Sequence, residues 1–238
     1  MPTINLLFQK QYKINDKISI LIPTVGEIID NEEEYYNVVS VIAAMPIDLM
    51  SQLDDVGIDF TAINEFDLFL ILFESLKTKN TKLIFGDLDL TKFEMAVSEE
   101  NGSVVLLDKE DDIVIDKAVH NKIATVLRSI HHIEKDVRKP ANEEAKKYMI
   151  KRAREKLKRR HNRAEESQLE KLIVAMVNSE QYKYDFEGTR ELSIYQFNES
   201  VRQIIKKVDY EHKMFGVYTG NINAKELPQE DLNWLIHK

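Results

Sequence analysis

Asn64-Glu65-Phe66-Asp67-Leu68-Phe69-Leu70-Ile71-Leu72-Phe73-Glu74-Ser75-Leu76 is apolar nearly all round a helical projection, and a helix with that pattern must be surrounded by protein. Asn64 starts it, and the segment is expected to be the central helix of an α+β unit. Upstream, Thr3 to Phe8 and Lys17 to Ile22 are β-rich runs separated by Tyr12 to Asp16, the pattern of a hairpin. Thr24-Val25-Gly26-Glu27 after Pro23 reads as a capping box, the threonine bonding forward and the glutamate reaching back. Asn31-Glu32-Glu33-Glu34 opens a second helix whose acidic first turn suits the positive helix end, with Tyr35, Val38, Val39 and Ile42 on its apolar face. Pro46 fits a first helical position, so a short helix is expected over Ile47 to Val56, ending at Gly57.

Downstream of the central helix, Lys82 to Phe85, Lys92 to Ser98, Ser103 to Leu107 and Asp112 to Ile115 read as short strands, and Glu99-Glu100-Asn101-Gly102 as a hairpin turn. Ala118, Val119, Ile123, Val126, Leu127 and Ile130 recur at helical spacing and predict an amphipathic helix. Arg138-Lys139-Pro140 is the best boundary in the chain. The expected organisation is an acidic α+β domain over 1–137, with a small antiparallel sheet and helices, followed by a mainly helical domain over 138–238.

Charge is distributed unevenly. The net of -8 contains a segment, residues 135–163, with 13 Lys/Arg against 4 Asp/Glu, while residues 1–134 hold 11 against 24. That pattern describes a basic arm on an acidic body. The arm is a predicted helix over 142–163, capped by Asn142 with Glu143 and Glu144 in its first turn. Its cations, Lys146, Lys147, Lys151, Arg152, Arg154, Lys158, Arg159 and Arg160, stand beside a thin apolar stripe of Ala145, Met149, Ala153 and Leu157. So few apolar residues are too little to dock firmly on a core, so the helix is expected to be exposed or to cover another chain. The cations with Met149 and Leu157 are the expected partner-binding residues. Asn162 to Glu165 allows either a new cap or a continuation into the apolar run Gln168 to Val177. Beyond it, Tyr182 to Thr189 reads as irregular or strand. A second capping box, Ser193-Ile194-Tyr195-Gln196, opens a helix bearing Ile194, Phe197, Val201, Ile204, Ile205 and Val208; Phe215 to Gly220 reads as loop or strand, and Pro228 starts a terminal helix carrying Trp234 and Ile236.

Apolar residues make up 43% of the 238, ordinary for a globular protein. The absence of cysteine removes disulfides, thiolate metal sites and a cysteine nucleophile, and fits a reducing compartment. Met1 to Lys10 lacks the layout of a secretion signal, and no apolar run reaches the roughly 20 residues of a membrane span. No Gly-x-Ser-x-Gly elbow occurs, and the seven glycines never cluster into a phosphate-binding loop. Asp87 and Asp89, or Asp111, Asp112 and Asp116, are oxygen ligands for a hard cation only if they converge; solvated turn carboxylates are the simpler reading. His131 and His132 end a predicted helix and point about 100° apart, so cationic character at a helix C-terminus explains them better than a metal. A non-enzymatic protein with no cofactor and no bound metal is therefore expected.

Five blocks carry a resemblance: Ile22-Pro23-Thr24-Val25-Gly26-Glu27-Ile28, Met45-Pro46-Ile47-Asp48 with Gln52-Leu53-Asp54-Asp55, Phe85-Gly86-Asp87-Leu88-Asp89-Leu90, Arg138 to Lys146, and Ser193 to Val201. Together they resemble poorly characterised tail-region and assembly proteins of tailed bacteriophages and prophages of Gram-positive bacteria, over most of the chain. The resemblance brings no assigned site residues. It implies a virion-morphogenesis role, as a tail-region structural component or a tail assembly chaperone. Other phage structural proteins would be its partners, a second copy of itself among the candidates, in the host cytoplasm or incorporated in the virion. Nucleic-acid binding through the helix over 142–163 is the alternative expectation, and no membrane association is expected.

Overall fold

The structure, a computed structural model, describes residues 5–99, 102–161 and 167–235, without the side chains of Arg160 and His161. The fold is α+β. Strands β1 (Gln11–Lys13) and β2 (Ser19–Leu21) form an antiparallel hairpin, Gln11 opposite Leu21. Helices α1 (Val25–Ile29), α2 (Glu32–Ile42), α3 (Met50–Asp55), α4 (Glu65–Leu76) and the single turn α5 (Lys82–Phe85) follow. Strands β3 (Glu94–Val97), β4 (Val104–Asp108) and β5 (Ile113–Ile115) make an antiparallel sheet in sequence order. Helices α6 (Lys117–His131), α7 (Glu143–His161), α8 (Gln168–Val177), α9 (Phe186–Glu191) and α10 (Ile194–Tyr218) complete the described residues, with short 3-10 turns between some elements.

Four of the expected caps form where the local sequence puts them, whereas Asn31 precedes α2 without a side-chain cap bond. Thr24 Oγ1 accepts from Glu27 N at 3.2 Å, and Glu27 Oε2 accepts from Thr24 N at 2.7 Å. Asn64, Asn142 and Ser193 likewise accept from the first turns of α4, α7 and α10. Helix α4 is central in the expected sense, because it serves two apolar clusters. Phe66, Phe69, Phe73 and Leu76 enter the main core, and Leu68 enters a smaller one with Ala44, Ile47, Leu53 and Phe60.

Several expected elements differ. The first strand is Gln11–Lys13, later than the run ending at Phe8; residues 1–4 lie outside the described residues, and Leu6 is buried without pairing. Residues 82–85 form a helical turn rather than a strand. Its stop is Gly86 at φ 63°, and Ile84 and Phe85 are buried, so packing overrides their strand propensity. The expected hairpin turn before Gly102 is bounded by Ser98 and Ser103, which bond through Ser98 N to Ser103 O at 2.8 Å; residues 100 and 101 lie outside the described residues. Residues 186–191 are helical, capped by Asp185, and α10 continues through the expected break at Phe215 to Tyr218. The terminal segment has only a 3-10 turn, Gln229–Leu232, and Ile236 lies outside the described residues.

The apolar core does not break at residue 137. Leu169, Met176, Tyr182, Ile194, Phe197 and Val201 belong to the same cluster as Ile28, Tyr35, Phe73 and Leu127. The backbone reinforces that union: Val25 N donates to Leu192 O at 2.8 Å and Ile194 N to Pro23 O at 2.9 Å, bracketing a Thr24–Ser193 bridge. Gly26 lets α9 lie against α1, since a Cβ there would stand 2.5 Å from Arg190 Cγ and 3.2 Å from its carbonyl oxygen.

His131, which ends α6, is not the cation expected there. His131 Nε2 meets the Tyr35 hydroxyl at 2.9 Å, and burial pushes its pKa down to about 4; burial lowers that of His132 too. His120, fully buried and stacked on Phe69, is likewise pushed down to about 4 by burial. Both His120 and His131 stay neutral in the fold, whereas an unfolded chain binds their protons below about pH 6.5. Stability from this source is present above that pH and lost as pH falls toward 4, at about 1.4 kcal/mol per pH unit for each histidine. Urea midpoints measured from pH 7 to 5, above the carboxylate range, should fall with acid, and His120→Gln should flatten the slope. A wild-type midpoint constant over that interval would contradict the assignment.

Candidate functional site

Helix α7 begins at a side-chain cap: Asn142 Oδ1 accepts from Ala145 N at 2.8 Å, with Glu143 and Glu144 in the positive first turn. One face then turns inward at a spacing of four residues. Lys146 Nζ pairs with Asp59 Oδ2 at 2.6 Å, Ile150 is buried at 6% exposure in the smaller core, and Arg154 Nη2 reaches Asp54 Oδ2 at 2.6 Å and Asp55 Oδ1 at 2.5 Å. Asp54 and Asp55 end α3, where two carboxylates oppose the negative end of the helix dipole, and Arg154 offsets that. The hydrogen bond from Lys146 is the main reason the Asp59 carboxyl is held down to about 2, and Lys146 is raised in return. Hydrogen bonds to Asp55 and then Asp54 raise Arg154 in the same way.

The expectation that this helix has too little apolar surface to dock on its own body is therefore corrected. Ile150, outside the stripe named from sequence, is the docking residue, and Met149 packs half-buried beside it. The ten expected partner-binding residues divide by face. Lys146, Arg154 and Met149 serve the chain's own body. Lys147, Lys151, Arg152, Lys158 and Arg159 are exposed. Arg152 has Glu155 at 4.0 Å and lies over the Tyr148 ring at 6.0 Å. Lys147, Lys151, Lys158 and Arg159 have no carboxylate partner among the described residues. Leu157, two turns beyond Ile150 on the same side, is 42% exposed. The Arg160 side chain lies outside the described residues. Residues 162–166 are outside them too, and α8 has its own cap in Ser167, whose hydroxyl accepts from Glu170 N at 2.8 Å.

Sequence reasoning missed Asp54, Asp55 and Asp59, the acidic partners of the inward face. The available signal was the recurrence of Lys146, Ile150 and Arg154 four apart, which on a helix marks one side.

The acidic turns are spread among separate partners. Asp89 accepts from Thr91 N, Asp116 caps α6 through Val119 N, Glu110 and Asp111 pair with Lys92, and Asp112 pairs with Lys17. Among the described residues no three His, Asp or Glu converge on a common point suited to a metal ion. No single helix among them is long and apolar enough to cross a membrane. No family model, curated protein or solved structure matches this chain.

Proposed function

We propose that this chain is a non-enzymatic virion-morphogenesis protein of a tailed phage, a tail-region structural component or tail assembly chaperone, which grips an acidic face of another virion protein with the outward side of α7. The observation that carries the binding role is the two-sided character of that helix. Its inner face is anchored by Lys146, Ile150 and Arg154, while Lys147, Lys151, Lys158 and Arg159 face solvent without carboxylate partners among the described residues. A cationic rib held on a rigid body speeds encounter and sets register with a complementary surface, and apolar contact such as that offered by Leu157 slows dissociation. The phage setting is supported by the resemblance of the five sequence blocks, and the proposed location is the host cytoplasm or the particle.

Reversing Lys151, Arg152, Lys158 and Arg159 to Glu should abolish co-purification of the partner from infected or lysogenic cells, with the melting temperature of the isolated protein unchanged. Undiminished co-purification by the folded variant would overturn the proposal. The same outward cations, with Tyr148 exposed beneath Arg152, support nucleic-acid binding as the second reading. It requires capture of random duplex DNA that weakens with salt, log K falling by about 0.9 for each phosphate neutralised. The acidic body opposes that at long range.

A further inference from the structure

Helix α10 extends its core-facing stripe past the body that covers its first turns, and the α7 reading does not use that extension. Ile194, Phe197, Val201, Ile204, Val208, Glu211, Phe215 and Tyr218 recur at alternating spacings of three and four, the a/d pattern of a helix that pairs with another helix. The first three are buried in the main core. Past Val201 the stripe continues in the same direction and leaves the body by degrees: Ile204 is still half-buried against the main core and Val208 is half-buried, while Ile205, at the edge, is 62% exposed, Phe215 68% and Tyr218 85%. The C-terminal segment covers a different side of the helix, through Gln203 Nε2 to Trp234 O at 3.2 Å and Lys213 to Asp231 at 2.9 Å. The free stripe is thus a preformed helical surface, fixed at one end in the core, so pairing would cost little ordering entropy.

We propose that this stripe is the homodimer interface of the protein, occupied by α10 of a second copy running antiparallel. The charges select that occupant and orientation. Glu211 interrupts the apolar series one turn after Lys207, and the two already lie 3.6 Å apart within one chain. In a parallel, in-register pair the two Glu211 carboxylates would face each other across the seam. With Val208 opposite the partner's Glu211, each Glu211 comes beside the partner's Lys207, which lies 6.0 Å over its own Trp234 ring, and the outer edge of half-buried Ile204 meets the partner's Phe215 at both ends. That arrangement is self-complementary under a twofold axis, as a closed dimer requires. The seam from Ile204 to Phe215 is only about 17 Å long at 1.5 Å per residue, so the dimer exchanges with monomer rather than being obligate.

Sedimentation of the full chain over a dilution series should show a monomer–dimer equilibrium, and Ile205→Asp with Phe215→Asp should weaken it at least about tenfold, each removing apolar area from the seam. Circular dichroism and melting temperature should not change, because both residues are exposed. Lys207→Glu should weaken dimerisation, and Lys207→Glu with Glu211→Lys should restore it. The chain has no cysteine, so orientation can be read separately: a mixture of Val208→Cys and Glu211→Cys chains should cross-link faster than either alone. A monomer at all concentrations up to about 1 mM, where even a weak Kd registers, would overturn the proposal, and so would a dimer indifferent to the aspartates. Fastest cross-linking by Glu211→Cys alone would overturn the antiparallel arrangement. None of these outcomes depends on the charge-reversed α7 variant, so the two proposals fail separately.

Discussion

Phe197→Ala should lower the stability of the chain by about 3–5 kcal/mol, and the loss should be felt in residues 5–137 as strongly as beyond them. Phe197 is fully buried on the first turn of α10, edge-on to Tyr182 with ring centroids 6.3 Å apart, in the cluster that contains Phe73 and Leu127. Truncation removes the transfer free energy of a benzyl group and leaves a cavity that α6 and α10 cannot both relax to fill. Because the cluster is continuous, unfolding should remain a single transition, and amide exchange in α2 and α6 should accelerate along with that in α9. Two separable domains predict a different result: a biphasic melt in which the first half keeps its wild-type midpoint. That outcome would support the expected boundary at Arg138-Lys139-Pro140 as a domain junction.

Arg128→Ala should cost a comparable amount, about 3–5 kcal/mol, the usual effect of breaking a buried ion pair from one side. Arg128 is 4% exposed on α6, and its Nε and Nη2 donate to the Ala43 carbonyl at 3.1 and 2.7 Å, just past the end of α2. Nη2 also stands 2.8 Å from Glu65 Oε2, in an ion pair whose angle does not make a hydrogen bond. The alanine would leave a carbonyl unsatisfied and Glu65 with Lys135 alone, at 2.7 Å. Burial by itself would raise the Glu65 carboxyl; Lys135 and Arg128 together hold it below its ordinary value, so the variant should also move that carboxyl upward. Replacing both members, Arg128→Met with Glu65→Leu, should cost clearly less than the single alanine, because no lone charge stays behind. Guanidinium unfolding of the wild type and the two variants decides it. A loss under about 1 kcal/mol for Arg128→Ala would mean that the pair is solvated enough to be of little worth.

The chain's own composition and short-range order already specified much of this protein. The caps at Thr24, Asn64, Asn142 and Ser193, the apolar helix of Phe66 to Leu76, the amphipathic helix of Ala118 to Ile130 and the α+β class were all legible. Each depends on hydrogen bonds or periodicities spanning a few residues, so the neighbours in sequence are the neighbours in space. Residues 82–85 and 186–189 were misread because apolar and β-branched side chains such as Ile84, Phe186 and Thr189 suit a strand or a helical turn equally, and only packing chooses between them. The same limit decided the basic helix. That it would form, and where it would be capped, followed from Asn142 onward, but which side would face solvent depended on Asp54, Asp55 and Asp59, 87 to 100 residues away. Whether the chain held one core or two rested on side chains as distant as Ile28 and Phe197. Contacts of that separation name no partner in the chain: the recurrence of Lys146, Ile150 and Arg154 marks one side of a helix, but what that side meets is decided only when the tertiary fold brings the two ends together.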